Sequence, residues 1–131
     1  MLSWLFKKRI LKNPELLGRW GEKYTCRYLK REGLLKLTEN FSCKHGEIDL
    51  IMVDRDRTIV FVEVKTRASE EFADLESSVS YAKRKRLIKT AQTFISKNNI
   101  NNRPFRFDLV FILAKEKGRP EIRHYKNAFI P

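Results

Sequence analysis

Three residues in the middle of the chain have the types and spacing for chemistry on a phosphodiester. Asp49 stands in Gly46-Glu47-Ile48-Asp49-Leu50-Ile51, and Glu63 and Lys65 stand in Val60-Phe61-Val62-Glu63-Val64-Lys65. Burying an unpaired carboxylate is expensive, so acids within strands this apolar need a partner or a purpose. Glu63 and Lys65 are two apart and point to one side of their strand. Asp49 joins them if the connection between the strands holds an odd number of residues. A three-residue loop Arg55-Asp56-Arg57 satisfies that, whereas two or four residues would need a bulge. In the odd register the Asp49 and Glu63 Cα atoms lie about 5 Å apart. Two carboxylates that close repel unless a cation sits between them, and their hard oxygens suit Mg²⁺ or Mn²⁺. Lys65 can hold a phosphate oxygen or an attacking water, a set suited to metal-assisted phosphodiester hydrolysis. The other arrangement open to these residues is an ordinary Glu63–Lys65 ion pair with Asp49 capping a turn.

The elements that must position these groups follow from periodicity and punctuation. Asn13-Pro14 is a cap and first-turn pair for a helix running to Arg31, with Gly33 just past its end. Gly18 and Gly21 inside that helix each cost about 1 kcal/mol relative to Ala, which points to close approach of another backbone or a ligand. Leu34 to Phe41 reads as a strand, Lys44-His45-Gly46 as a turn, and 47–53 and 58–65 as a hairpin. Residues 66–76 are polar and aperiodic, a loop. Ser77 to Asn98 is a second helix; 105–114 and 121–125 are further strands. Helix, three strands, helix and two strands make an α/β domain with a mixed sheet over residues 14–131, preceded by a basic leader at 1–13.

The chain has 131 residues, enough for one core, and carries 28 Lys and Arg against 16 Asp and Glu, a formal charge of +12. Such a field attracts polyanions. The second helix concentrates it: Lys83, Arg84, Lys85, Arg86, Lys89 and Lys97 share a segment without a single acid, a candidate phosphate-tracking face. No stretch approaches the roughly 20 apolar residues of a membrane span. In the leader, Lys7-Lys8-Arg9 follow the apolar run Trp4-Leu5-Phe6, the wrong order for a secretory signal; we therefore expect a soluble cytoplasmic protein. The same run also reads as an interfacial membrane anchor. Cys26 and Cys43 lack zinc-site spacing and read as reduced thiols.

An Asp on one strand followed by Glu-x-Lys on the next resembles the PD-(D/E)xK, restriction-endonuclease-like superfamily. The wider pattern is Gly18-Arg19-Trp20-Gly21-Glu22, Asn40, the Asp49 and Glu63 strands through Thr66-Arg67, Lys83 with Arg86-Leu87 and Ala91, Arg106-Phe107-Asp108, and Asn127-Ala128-Phe129. It resembles the uncharacterised YraN-like family, itself similar to archaeal Holliday junction resolvases. Ile48 stands where the superfamily's nominal Pro would be, and Phe72-Ala73 occupy a loop that often holds glycine in the family. The resemblance implies a restriction-endonuclease-like fold, a mixed central sheet of about five strands flanked by helices. It implies that Glu22, Asp49 and Glu63 bind Mg²⁺ or Mn²⁺, that Lys65 assists the nucleophile, and that the partner is nucleic acid, most naturally DNA with branched or structured sites. Arg19, Arg67, Lys83, Arg84, Arg86 and Lys89 are the candidate backbone contacts, and a homodimer follows by analogy with resolvases. The competing reading is a binding module that keeps the nuclease fold and cuts nothing. Asp108 and His124 read as structural, Asp108 satisfying Arg106 or a backbone group.

Overall fold

The computed structural model describes residues 4–68 and 79–131. Its elements are α1 (Trp4–Lys12), α2 (Pro14–Arg31), β1 (Leu35–Cys43), β2 (Gly46–Val53), β3 (Ile59–Arg67), α3 (Tyr81–Lys97), β4 (Phe105–Leu113) and β5 (Glu121–Phe129). The five strands form one sheet in the order β1-β2-β3-β4-β5. Every neighbouring pair is antiparallel except β3 and β4, which run parallel through the α3 crossover. This is the restriction-endonuclease-like architecture, a mixed sheet with helices on both faces.

Side-chain alternation builds the two faces. Ile59, Phe61, Phe107, Leu109 and Phe111 pack with Leu87, Ala91 and Phe94 of α3. Val60, Val62, Val110 and Ile112 pack on the opposite face with Cys26 and Leu29 of α2. The central strands β3 and β4 are apolar on both sides because both faces are covered there. At roughly 25 cal/mol per Å² of apolar area removed from water, such burial supplies the main drive to fold.

Local chemistry sets the boundaries. Asn13 caps α2, its side-chain oxygen accepting from the amides of Glu15 and Leu16. Gly33, at φ +99°, takes the left-handed position that ends α2. Ser80 caps α3, accepting from the Lys83 amide. This places the helix start at Tyr81 rather than Ser77, because Ser80 is itself extended (φ −65°, ψ 163°). The loop expected at 66–76 begins later, since β3 continues to Arg67; its remainder, including Phe72-Ala73, lies outside the described residues.

The last strand is longer than its sequence suggests, running to Phe129 instead of Tyr125. A register shift opposite Phe107/Leu109 and a left-handed Asn127 (φ +51°) break the alternation, and Phe129 then returns to the core stacked 4.8 Å from Phe107. Residues 4–12 of the basic leader form a helix whose Ile10 is buried with Leu17 of α2 and Ala114. Among the described residues no helix is long and apolar enough to cross a membrane. Cys26 and Cys43 are free thiols.

Candidate active site

The β2–β3 hairpin decides which residues meet. The Asp54 amide donates to the Thr58 carbonyl, closing the three-residue loop Arg55-Asp56-Arg57, and the Arg57 amide donates back to the Asp54 carbonyl. Arg57 adopts φ +74°, and the Thr58 amide donates to Asp56 Oδ1 at 2.9 Å, an Asx-type turn. The register is therefore the odd one: Val53 pairs with Ile59 and Leu50 with Val62, so one step further Asp49 faces Glu63.

At that step the ladder ends and the strand distorts. Ile48 and Ile51 both belong to the α3-facing cluster while Leu50 belongs to the α2-facing one, so alternation slips at Asp49. On the other side of Asp49, Asn40 of β1 is left-handed at φ +51°. The Val64 amide donates to Asp49 Oδ2 at 2.8 Å. The Asp49 carboxyl thus sits on the backbone of β3, within electrostatic reach of both Glu63 and Glu22.

The resulting electrostatics are strained. Burial first, then a hydrogen bond and like charge from Glu63, push the Asp49 carboxyl up to about 9. Glu63 is buried and forms its ion pair with Lys83 of α3, Nζ to Oε2 at 2.6 Å, the two side chains being 28% (Lys83) and 8% (Glu63) exposed. The expected alternative of a Glu63–Lys65 pair is not formed; Lys65 instead lies beside Lys83, and burial followed by that contact lowers its pKa. Lys83 itself is raised: burial, the largest single influence, opposes its charge, but the hydrogen bonds to Glu63 and Lys65 and the charges of Glu63 and Asp49 together outweigh it. Asp49, Glu63 and Lys83 border an open cleft of about 270 Å³, lined also by Gly46, Glu47 and Arg86.

Glu22 reaches the same end of the sheet from α2. Gly21 makes this approach feasible, because a Cβ there would fall 1.9 Å from Thr66 Oγ1 on β3. Burial and then Glu47, Glu39 and Glu63 raise the Glu22 carboxyl. With the Asn40 amide nitrogen turned toward the acids, it lies 3.0 Å from Glu22 Oε1 and 3.2 Å from Glu47 Oε1. The structure therefore joins Asp49 to Glu63 and holds Glu22 at the rim. Among the described residues no three acids, His or Cys converge as a ready-made metal-ligand set.

The remaining candidates are distributed around this centre. Arg19 pairs with Glu15 at 2.7 Å on the exposed face of α2. Arg67 donates to the carbonyl of Thr66, and Arg84 to the carbonyl of Val79. Arg86 and Lys89 are both exposed on α3. Asp108 is consumed structurally: Arg106 Nε lies 3.0 Å from Oδ1, His124 Nε2 2.7 Å from Oδ2, and the Asn127 amide donates at 3.0 Å. Sequence reasoning gave no role to Asn40 and Glu47 and missed the Lys83–Glu63 pair. Only the neighbourhood of Asn40 and Asp49 across an irregular strand pair reveals the first two, and no local signal marks the third.

Comparison with known proteins agrees with the motif reading. The model of an uncharacterised protein family, UPF0102, matches residues 21–112, the stretch that holds Glu22, Asn40, the Asp49–Glu63 hairpin and Lys83. The chain is 44% identical over 117 residues to a UPF0102 protein of Clostridioides difficile, covering 89% of this chain and 99% of the relative. It is 42% identical over 113 residues to a UPF0102 protein of Geotalea uraniireducens, covering 86% and 88%. A UPF0102 protein of Nitrosococcus oceani is 41% identical over 113 residues, covering 86% and 90%. A restriction-endonuclease-like sheet carrying the Asp and Glu-x-Lys strands, and likeness along nearly the whole chain, place this protein in the UPF0102 family, the YraN-like branch of the PD-(D/E)xK superfamily.

Proposed function

We propose that the protein is a metal-dependent nuclease acting on DNA, with branched or structured sites as its substrates. The observation that carries this reading is half-buried Asp49 beside buried Glu63 at an open cleft, with Lys83 bonded to Glu63 and Lys65 next to Lys83. The donor set fits a hard divalent cation: two carboxylates are brought together, and burial first, then the hydrogen bond and like charge of Glu63, raise Asp49 to about 9. They are a pair of oxygen donors whose charge a divalent ion would balance. Asp49 and Glu63 would hold Mg²⁺ or Mn²⁺, with Glu22 completing the set from the rim. Such an ion, when bound, polarises the phosphoryl group and lowers the pKa of water. Lys65, its ammonium weakened by burial and by Lys83, would orient the attacking water or take up its proton. Arg86 and Lys89 on α3, with Arg19, Arg67 and Arg84 nearer the periphery, would neutralise backbone phosphates. A homodimer would present two such sites to a two-fold symmetric junction.

The test is cleavage of four-way, duplex and single-stranded DNA with Mg²⁺ or Mn²⁺. Asp49→Ala and Glu63→Ala are expected to abolish cutting while binding persists. Failure of the wild-type chain to cut any of these substrates across a range of pH would overturn catalysis. One observation favours a second reading, a binding module without activity: Glu63 already has a counter-ion in Lys83. That reading expects DNA binding indifferent to metal, and stronger when Asp49 or Glu63 is replaced by Ala.

A further inference from the structure

We infer that Lys83 is the resident counter-cation of the acid pair, displaced from Glu63 when a divalent ion enters and then turned to the phosphate of the bound strand. This rests on the metal-dependent reading above. The geometry is specific. Lys83 lies in the first turn of α3, where the Ser80 hydroxyl fixes its backbone amide at 3.2 Å. Its ammonium, at the end of a flexible four-carbon stem, reaches Glu63 Oε2 at 2.6 Å. Glu63 is buried on β3, whereas the Lys83 side chain keeps 28% of its surface exposed at the cleft. Of the two lysines here, Lys83 is the one paired with Glu63, so it is the one that an ion on Glu63 would displace.

Charge balance supplies the direction. Asp49, Glu63 and Glu22 beside Lys65 and Lys83 are close to balanced as a set, one acid in excess when all are ionised. A divalent ion added to them turns the balance positive around Glu63. The repulsion is relieved by moving the ammonium paired with Glu63, and the positive excess is relieved by an anion, which a phosphodiester provides. Arg86, lining the same cleft, lies one helical turn along α3 on the same side as Lys83 and would extend the phosphate contact. Lys83 is thus a positioning residue that links metal entry to substrate engagement, and metal and DNA are expected to bind with positive cooperativity.

The experiment is calorimetric titration of Mn²⁺ into the full chain and its Lys83→Met and Lys83→Arg variants. At an effective dielectric near about 20, removing one neighbouring positive charge should tighten Mn²⁺ binding about tenfold or more in Lys83→Met. Lys83→Arg, which keeps the charge, stays near wild type. In parallel, amine-reactive labelling of the wild-type protein read by mass spectrometry should rise at Lys83 on adding Mn²⁺, and this measurement stands even if Lys83→Met does not fold. Equal or weaker Mn²⁺ binding in Lys83→Met overturns the inference, as does Lys83 labelling that does not change while Mn²⁺ binds. Absence of Mn²⁺ binding by every form overturns the metal-dependent reading itself, and this inference with it.

Discussion

Gly18 and Gly21 stand one turn apart in α2, and alanine at the two should act with opposite sign. Helix propensity favours Ala over Gly by about 1 kcal/mol at both. At Gly18 a new Cβ meets nothing within 4 Å, so that gain is kept. At Gly21 the Cβ would lie 1.9 Å from Thr66 Oγ1, 2.9 Å from Thr66 Cβ and 3.0 Å from Cγ2. Rotating the threonine moves the hydroxyl, but its Cβ is fixed to the β3 backbone. Ordinary carbon contacts need about 3.5–4.0 Å, so α2 must retreat by roughly 0.5–1 Å. Overpacking of this kind costs about 1–3 kcal/mol, which outweighs the helix gain. Thermal unfolding should therefore show Gly18→Ala a few degrees above wild type and Gly21→Ala roughly 5 °C below it. The retreat also carries Glu22 outward, so Gly21→Ala should weaken Mn²⁺ binding. Thr66→Ala in the Gly21→Ala background takes away the hydroxyl and methyl that the new Cβ meets and should recover part of the stability. Equal shifts for the two glycines, or a Gly21→Ala protein as stable as wild type, would refute the reasoning.

Asp108 gives a pH-dependent prediction. Burial works to raise its carboxyl, but hydrogen bonds from His124, Arg106 and the Asn127 amide hold it below the usual carboxylate range. A depressed folded pKa means this stability is present above the unfolded value near about 3.9 and is lost as pH falls through the folded value. Asp108→Asn should cost about 1–3 kcal/mol at neutral pH by removing the charge that His124 and Arg106 bond, Arg106 keeping its pair with Asp54, and should flatten the acid limb of the urea-stability profile. Arg86→Ala with Lys89→Ala should leave folding unchanged but weaken DNA binding. The log–log salt dependence should become shallower by about 0.9 for each phosphate no longer neutralised, read from binding isotherms at several salt concentrations. Ser80→Ala should lower stability by about 1 kcal/mol through removal of the α3 cap, measured by urea unfolding.

Much of this molecule is legible along the chain because its signals are local. The Asn13 cap, the Gly33 stop and the alternating apolar strands each act within a few residues. The odd Arg55-Asp56-Arg57 loop is enough to place Asp49 opposite Glu63. The misreadings are local as well. β5 reads too short because left-handed Asn127 interrupts its pattern, and α3 reads as starting early because a serine before a helix can be cap or first turn. What tertiary structure alone decides is who partners whom across the sheet. Two glycines in one helix look alike in sequence, yet only Gly21 meets Thr66, because only its side of α2 lies against β3. Glu63 and Lys65 are adjacent on one face, yet the ion pair goes to Lys83, since the β3–α3–β4 crossover brings the first turn of α3 within side-chain reach of Glu63. Residue type and spacing nominate acids and bases. Long-range packing chooses among them, because charges inside a protein respond to distance in space, and separation along the chain does not report it.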